Sequence, residues 1–195
     1  MLQPAVRSVA VFCGSRPGND PEYYAACVAL GAGLARAGMR LVYGGGRIGL
    51  MGAVADGALS AGGAVLGIIP EFLQRREVAH AGVQDMVLTS TMHDRKARMF
   101  DAADAFVTMP GGLGTFDETV EITTWRQLGL HDKPILICDV AGWAQPYLAL
   151  LEGAVADGFA APETAALYEV LPDVPAVLDR LRRLPVAGAG QAARL

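Results

Sequence analysis

The chain has 195 residues, 52% of them hydrophobic, and a formal net charge of −4, which suits one sizeable core and is too short for two full domains. The negative balance excludes the basic surface that neutralises a nucleic-acid backbone or holds an anionic membrane. No apolar run has signal-peptide or membrane-spanning length, and Cys13, Cys27 and Cys138 form no CxxC pair and no metal-ligand spacing with histidine. The expectation is a cytoplasmic protein with no metal and no disulfide framework.

In chain order, residues 8–13 predict a strand, 21–37 a helix, 40–43 a strand, 50–61 a helix and 64–69 a strand. Residues 86–89 continue as a strand, 93–103 as a helix, 105–109 as a strand, 115–128 as a helix, 134–138 as a strand and 143–156 as a helix. Segment 70–84 interrupts this alternation with Gln74, Arg75, Arg76, Glu77 and His80. It is too polar for core and long for a plain connection, so it is expected to act as a lid or a partner contact. Residues 186–195, rich in Ala and Gly, are expected to fray. Strand followed by helix, about six times over, predicts a single α/β domain: a doubly wound, mainly parallel sheet with helices on both faces. Ligands of such sheets collect beyond the carboxyl ends of the strands.

Three glycine-bearing turns follow predicted strands: Gly14 with Ser15, then Gly44, Gly45 and Gly46, then Pro110, Gly111, Gly112, Leu113, Gly114 and Thr115. Without a Cβ, such turns let backbone amides close on a phosphate at the positive end of a helix. One alone is weak evidence, since turns use glycine for steric reasons. Three at one sheet edge favour a phosphorylated ligand. With neither a GxxxxGK[ST] loop nor a complete GxGxxG fingerprint, that ligand is expected to be a mononucleotide.

The helix after the third turn carries Asp117, Glu118 and Glu121. A three-residue step puts Glu118 and Glu121 on neighbouring positions, from which both can face the pocket, although acidic residues near a helix start also serve its dipole. Arg95, Lys96 and Arg98 concentrate positive charge at the start of the preceding helix. This is either a solvated face or, through Arg95, a contact to a phosphate, a ribose hydroxyl or a neighbouring carboxylate.

Residues 110–118, PGGLGTFDE, match the PGGxGTxxE signature of the LONELY GUY (LOG) family, and Met92-His93-Asp94-Arg95-Lys96 resembles its MHxRK element. The similarity runs from Ser8 to about Leu184, through residues 11–15, 42–46, 49–52, 69–70 and 125–129. It implies a Rossmann-like homodimer that hydrolyses nucleoside 5′-monophosphates, AMP and N6-modified adenine (cytokinin) forms included, to free base and ribose 5-phosphate without a cofactor. It also implies catalytic roles for Arg95 and Glu118 with Glu121 nearby, and phosphate contacts from Gly111, Gly112, Gly114 and Thr115. Gly14, Ser15, Gly45, Gly46, Met92, Lys96 and Pro110 complete the expected substrate-binding set. Departures from the family pattern are Arg16 after the first turn, Met109 before the third and Asp94 in the variable position.

Cleavage of an N-glycoside passes through an oxocarbenium-like sugar, for which a carboxylate stabilises charge or activates water. Glu118 is the first choice, with Arg95 as its positioning partner. The alternative is a non-catalytic nucleotide carrier or sensor on the same scaffold, for which carboxylates in an anion pocket bring little. Proteins with this signature are also labelled lysine decarboxylases. The only lysines, Lys96 and Lys133, lie in no recognisable pyridoxal phosphate context.

Overall fold

Ser8–Phe12 (β1), sequence SVAVF, is buried at every position, as a parallel strand covered on both faces should be. It pairs in parallel with Arg40–Tyr43 (β2) on one side and Ala105–Thr108 (β5) on the other. Val65–Pro70 (β3), Asp85–Thr89 (β4), Ile135–Cys138 (β6) and Glu169–Leu171 (β7) complete a sheet of order β4-β3-β2-β1-β5-β6-β7. Every pair is parallel. The computed structural model describes residues 6–74 and 79–184; the 186–195 tail, with Arg75, Arg76 and Glu77, lies outside them.

The helices are Pro21–Arg36 (α1), Gly49–Ser60 (α2), the single turn Glu71–Gln74 (α3), Met92–Asp101 (α4), Leu113–Gln127 (α5), Gln145–Ala156 (α6) and Val174–Arg183 (α7). Alternation along the strands sorts them into two layers. Val9 and Val11 face Leu30 and Leu34 of α1, Val54 of α2 and Val177 of α7. Ala10 and Phe12 face Met99 of α4 and Ile122 of α5. Ile137 and Tyr147 seat α6 on that second face beside Phe116. The doubly wound sheet is therefore as expected from sequence, with all strands parallel.

Two elements were not anticipated. β7 has three largely exposed residues and no apolar run; it forms because β6 offers an open edge. α7 buries Val174, Val177 and Leu181 on one stripe, a helical spacing too short and too charged to stand out. The 70–84 segment also differs from expectation. Pro70 closes β3, Ala79 bridges to Gly46, and His80 is buried. Its Nδ1 accepts from Gly82 N at 3.1 Å and its Nε2 meets Asp56 Oδ1 at 3.0 Å. Two satisfied ring nitrogens make this histidine tolerable in an interior that a polar residue otherwise avoids.

From β1 the chain winds outward through β2, β3 and β4, then returns to place β5 on the other side of β1. The topological switch point thus lies between β1 and β5, where a crevice opens beyond their carboxyl ends.

Candidate active site

The turns leaving β1 and β5 interlock. Gly14 N donates to Pro110 O at 3.0 Å, and Gly14 O accepts from Leu50 N and Met51 N at the start of α2. A Cβ on Gly111 would stand 2.0 Å from Thr115 Oγ1 and 2.9 Å from Gly14 N, so only glycine fits there. Gly112 and Gly114 have nothing within 4 Å of such an atom; their open sides face the crevice.

α5 begins at this turn with Gly112 as N-cap and no side-chain cap, whereas Asp20, Thr91 and Asp173 cap α1, α4 and α7 with their side chains. First-turn amides left without a side-chain acceptor, at the positive end of a 15-residue helix, suit an anion. A threonine ladder holds this helix to the sheet: Thr119 Oγ1 donates to Thr115 O at 2.7 Å and meets Thr108 Oγ1 at 2.9 Å, and Thr123 Oγ1 donates to Thr119 O.

Two adjoining cavities share Gly14, Ser15, Gly112 and Leu113 as a common wall. The smaller, about 200 Å³, is lined by Arg95, Glu118, Met92, Gly44, Thr115 and Asp117. Leu73 of α3 also lines it. The larger, about 890 Å³, has Arg16, Asn19, Asp20, Tyr23, Pro110 and Trp143 in its walls.

Arg95 is only 4% exposed. Its Nη2 donates to Gly44 O at 3.2 Å and its Nη1 lies 3.8 Å from Met92 Sδ. Glu118, on the same α5 face as buried Thr115 and Ile122, is likewise buried. Neighbouring Cys13 is held well above the ordinary thiol range by its hydrogen bond with Cys27, by burial, and by the charges of Cys27 and Glu118, with Arg95 pulling the other way. A thiol kept protonated is a poor nucleophile; the other charged groups lining the smaller cavity are the Arg95 guanidinium and the carboxylates of Asp117 and Glu118.

Of the residues anticipated from sequence, Gly14, Ser15, Met92, Arg95, Gly112, Gly114, Thr115 and Glu118 meet around the smaller cavity, and Pro110 and Gly111 wall the larger one. Gly45 and Gly46 support the site from behind: Gly45, at φ +78°, packs against Ile69 and Met86, and Gly46 bridges to Ala79. Lys96 and Glu121 face each other at 3.1 Å beside the cavity. The three-residue step turns Glu121 about 60° away from Glu118, enough to separate their surroundings. Arg16 is exposed in a wall of the larger cavity, Met109 is fully buried, and Asp94 pairs with Arg98 on the surface.

Sequence reasoning passed over Gly44 as a ligand of Arg95, and Trp143. Trp143 Nε1 donates to Gly111 O at 3.1 Å. The available signal was position alone, just beyond the carboxyl end of a strand two places from the switch point.

This is the crevice of a doubly wound α/β protein at its switch point, walled by glycine turns and the start of α5. A family model described as "possible lysine decarboxylase" matches residues 51–181. The chain is 41% identical to the cytokinin riboside 5′-monophosphate phosphoribohydrolase of Rhodococcoides fascians over 181 residues, covering 92% of this chain and 91% of that one. It is also 41% identical to the cytokinin riboside 5′-monophosphate phosphoribohydrolase LOG2 of Arabidopsis thaliana, covering 90% of this chain and 82% of that one. The chain belongs to this family, the LOG family. Among solved structures, the molybdenum cofactor (Moco) carrier protein of Chlamydomonas reinhardtii superposes with a TM-score of 0.69 at 19% identity, covering 91% of this chain and 96% of that one; it shares the fold.

The decarboxylase description implies pyridoxal phosphate on a lysine, and neither lysine fits. Lys96 Nζ is held 3.1 Å from both Asp117 and Glu121. Lys133 Nζ donates to Phe100 O at 2.7 Å and sits 4.0 Å from the Phe100 ring centre, just before β6, at the end of the sheet opposite the crevice.

Proposed function

We propose that this protein hydrolyses the N-glycosidic bond of purine nucleoside 5′-monophosphates, AMP and N6-modified adenine (cytokinin) nucleotides included, releasing free base and ribose 5-phosphate. The observation that carries this reading is the meeting of a buried arginine and a buried carboxylate, Arg95 and Glu118, in one cavity with the uncapped start of α5. A pure anion binder gains nothing from a carboxylate placed there. The naming of the relatives supports the same chemistry.

In this reading the 5′-phosphate rests on the amides of Gly112, Gly114 and Thr115. Binding energy gathered there, remote from the bond that breaks, orients the ribose over Glu118. As the bond to the base lengthens, the anomeric carbon gains positive charge, which the Glu118 carboxylate stabilises. Glu118 orients a water for attack and takes its proton, the base leaves with the bonding electrons and takes up one proton from solvent, to which Glu118 later returns its own, and ribose 5-phosphate remains. Arg95, fixed by Gly44 O, sets the geometry of the carboxylate and the ribose. Lys96 and Glu121 act as a pair that holds the two helices in register. No metal or cofactor takes part.

The working unit is proposed to be a cytoplasmic homodimer. Leu113, 87% exposed, and Leu128, 67% exposed, at the two ends of α5 are the kind of apolar surface that a second copy covers. Free, buried thiols at Cys13, Cys27 and Cys138 accord with a reducing compartment. Among the described residues no helix is long and apolar enough to cross a membrane.

The test is incubation of purified protein with AMP and with N6-isopentenyl AMP, following free base and ribose 5-phosphate by chromatography. Release by the wild type, reduced by roughly 10²–10⁴-fold in Glu118→Gln and Arg95→Ala, supports the reading. Nucleotide binding with no release of base overturns it in favour of a carrier.

A further inference from the structure

The connection between β6 and α6 grips the glycine turn from outside. Trp143 Nε1–H donates to Gly111 O at 3.1 Å across 32 residues of chain. Its ring stacks on Phe116 with centres 5.6 Å apart and planes within 7°, and Phe116 stacks in turn on Tyr147 at 5.4 Å and 6°. Phe116 directly follows Thr115 in the first turn of α5. One side chain therefore touches both the turn that precedes the helix and the helix start itself.

Trp143 is placed at a cost in backbone strain. Ala141, two residues before it, has φ +50° and is the one non-glycine residue in the left-handed region among the described residues; Gly142 follows at φ +76°. The segment is clamped by Asp139, whose carboxylate accepts from Ala144 N at 2.8 Å and from the Gln145 side chain. Strain of this kind persists where the surroundings over-determine a conformation, and it concentrates around functional sites.

A trans peptide is planar, with its C=O and N–H directed oppositely, and no cis bond occurs among the described residues. Fixing Gly111 O on the indole therefore fixes Gly112 N–H in the opposite direction. Neither glycine has a side chain of its own to restrict that orientation. Trp143 stands in the wall of the larger cavity, while Gly112 belongs to both.

We infer that Trp143 is a positioning residue: its indole N–H locks the Gly111–Gly112 peptide so that the Gly112 amide is presented to the ligand phosphate. This rests on the proposed placement of the phosphate at that turn, and the experiment separates the two. Ribose 5-phosphate and ribose are titrated into wild type and into Trp143→Phe, which keeps a stacking ring but has no donor. Loss of one neutral hydrogen bond that orders the turn weakens ribose 5-phosphate about fivefold, with ribose unchanged and the melting temperature nearly so.

Unchanged ribose 5-phosphate affinity in a folded Trp143→Phe overturns the inference alone. Failure of the wild type to bind ribose 5-phosphate or AMP overturns the phosphate placement and the inference with it. If Trp143→Phe does not fold, Trp125→Phe leaves Trp143 as the sole tryptophan in an otherwise intact site. Its emission is then expected to shift on saturation with ribose 5-phosphate but not with ribose, and a spectrum unmoved by both overturns the inference.

Discussion

Lys96 Nζ of α4 lies 3.1 Å from Glu121 Oε1 of α5, and the same ammonium reaches Asp117 Oδ2 at 3.1 Å. The neighbours of these residues in sequence are Arg95 and Glu118. The ion pairs thus fix the relative height of two helices whose adjacent positions carry the proposed chemistry. Burial draws the Lys96 ammonium down, but hydrogen bonds to Glu121 and Asp117 outweigh it and hold its pKa above the ordinary lysine value.

Replacing Lys96 by Met removes both pairs and leaves Asp117 and Glu121 as like charges four residues apart on one helix. The expected loss of stability is about 1 kcal/mol, or roughly 3 °C in Tm. Turnover of AMP is expected to fall by roughly tenfold or more, because small displacements of reacting groups cost rate steeply. A group whose folded pKa is raised gives its stability below the unfolded value and loses it as pH climbs past the folded one. The wild-type advantage in urea denaturation should therefore hold at neutral pH and vanish in strong alkali. Unchanged turnover in a folded Lys96→Met would show that the pair is mere surface decoration.

The glycines of the crevice divide into those the backbone needs and those the ligand needs. In Gly111→Ala the new Cβ meets Thr115 Oγ1 at 2.0 Å, so the turn has to move, with an expected cost of several kcal/mol and poor folding. Gly112→Ala and Gly114→Ala place a methyl where nothing lies within 4 Å. Both are expected to melt within a few degrees of wild type yet bind AMP at least tenfold more weakly, measured by calorimetry, because the methyl fills the approach to the amides. In Gly44→Ala the Cβ would fall 1.9 Å from Arg95 Nη2, displacing the guanidinium; that variant should approach Arg95→Ala in turnover while remaining folded.

Much of this was legible in the sequence, for physical reasons that differ by residue. Short apolar runs alternating with helical periods exposed the doubly wound sheet, since buried parallel strands carry little else. The turn at Gly111 was visible because the site there leaves no room for a Cβ, and that at Gly14 because a Cβ would be tightly crowded. The three-residue step let both Glu118 and Glu121 face the pocket; only the structure shows Glu118 buried and Glu121 paired with Lys96 of another helix. Trp143 was illegible because an aromatic residue after a strand is ordinary core material, and its hydrogen bond to Gly111 depends on a left-handed Ala141 that no periodicity predicts. β7 was missed because its stability comes from its neighbours.

Those neighbours supply the last prediction. Arg180 of α7 grips Glu169 of β7 in a fork, Nε to Oε2 and Nη2 to Oε1, each at 2.6 Å. Asp139 N, at the end of β6, donates to Leu171 O at 2.8 Å, so β7 buttresses the strand that leads to Trp143. The bond to Arg180 lowers the Glu169 pKa, against a smaller opposing effect of burial. A carboxylate with a depressed folded pKa contributes stability above its unfolded value and loses it as pH falls through the folded one. Glu169→Gln keeps the shape without the charge. Because the pair is largely solvent-screened, the variant should lose only about 0.5–1 kcal/mol in urea at neutral pH. That difference should close as the medium is acidified below the ordinary carboxylate range, and shrink in about 0.5 M salt. AMP turnover at neutral pH should stay within about twofold of wild type, since the pair touches neither cavity and surface substitutions rarely propagate. A larger loss of turnover with stability intact would mean that the fork controls the Trp143 connection rather than merely bracing the sheet edge.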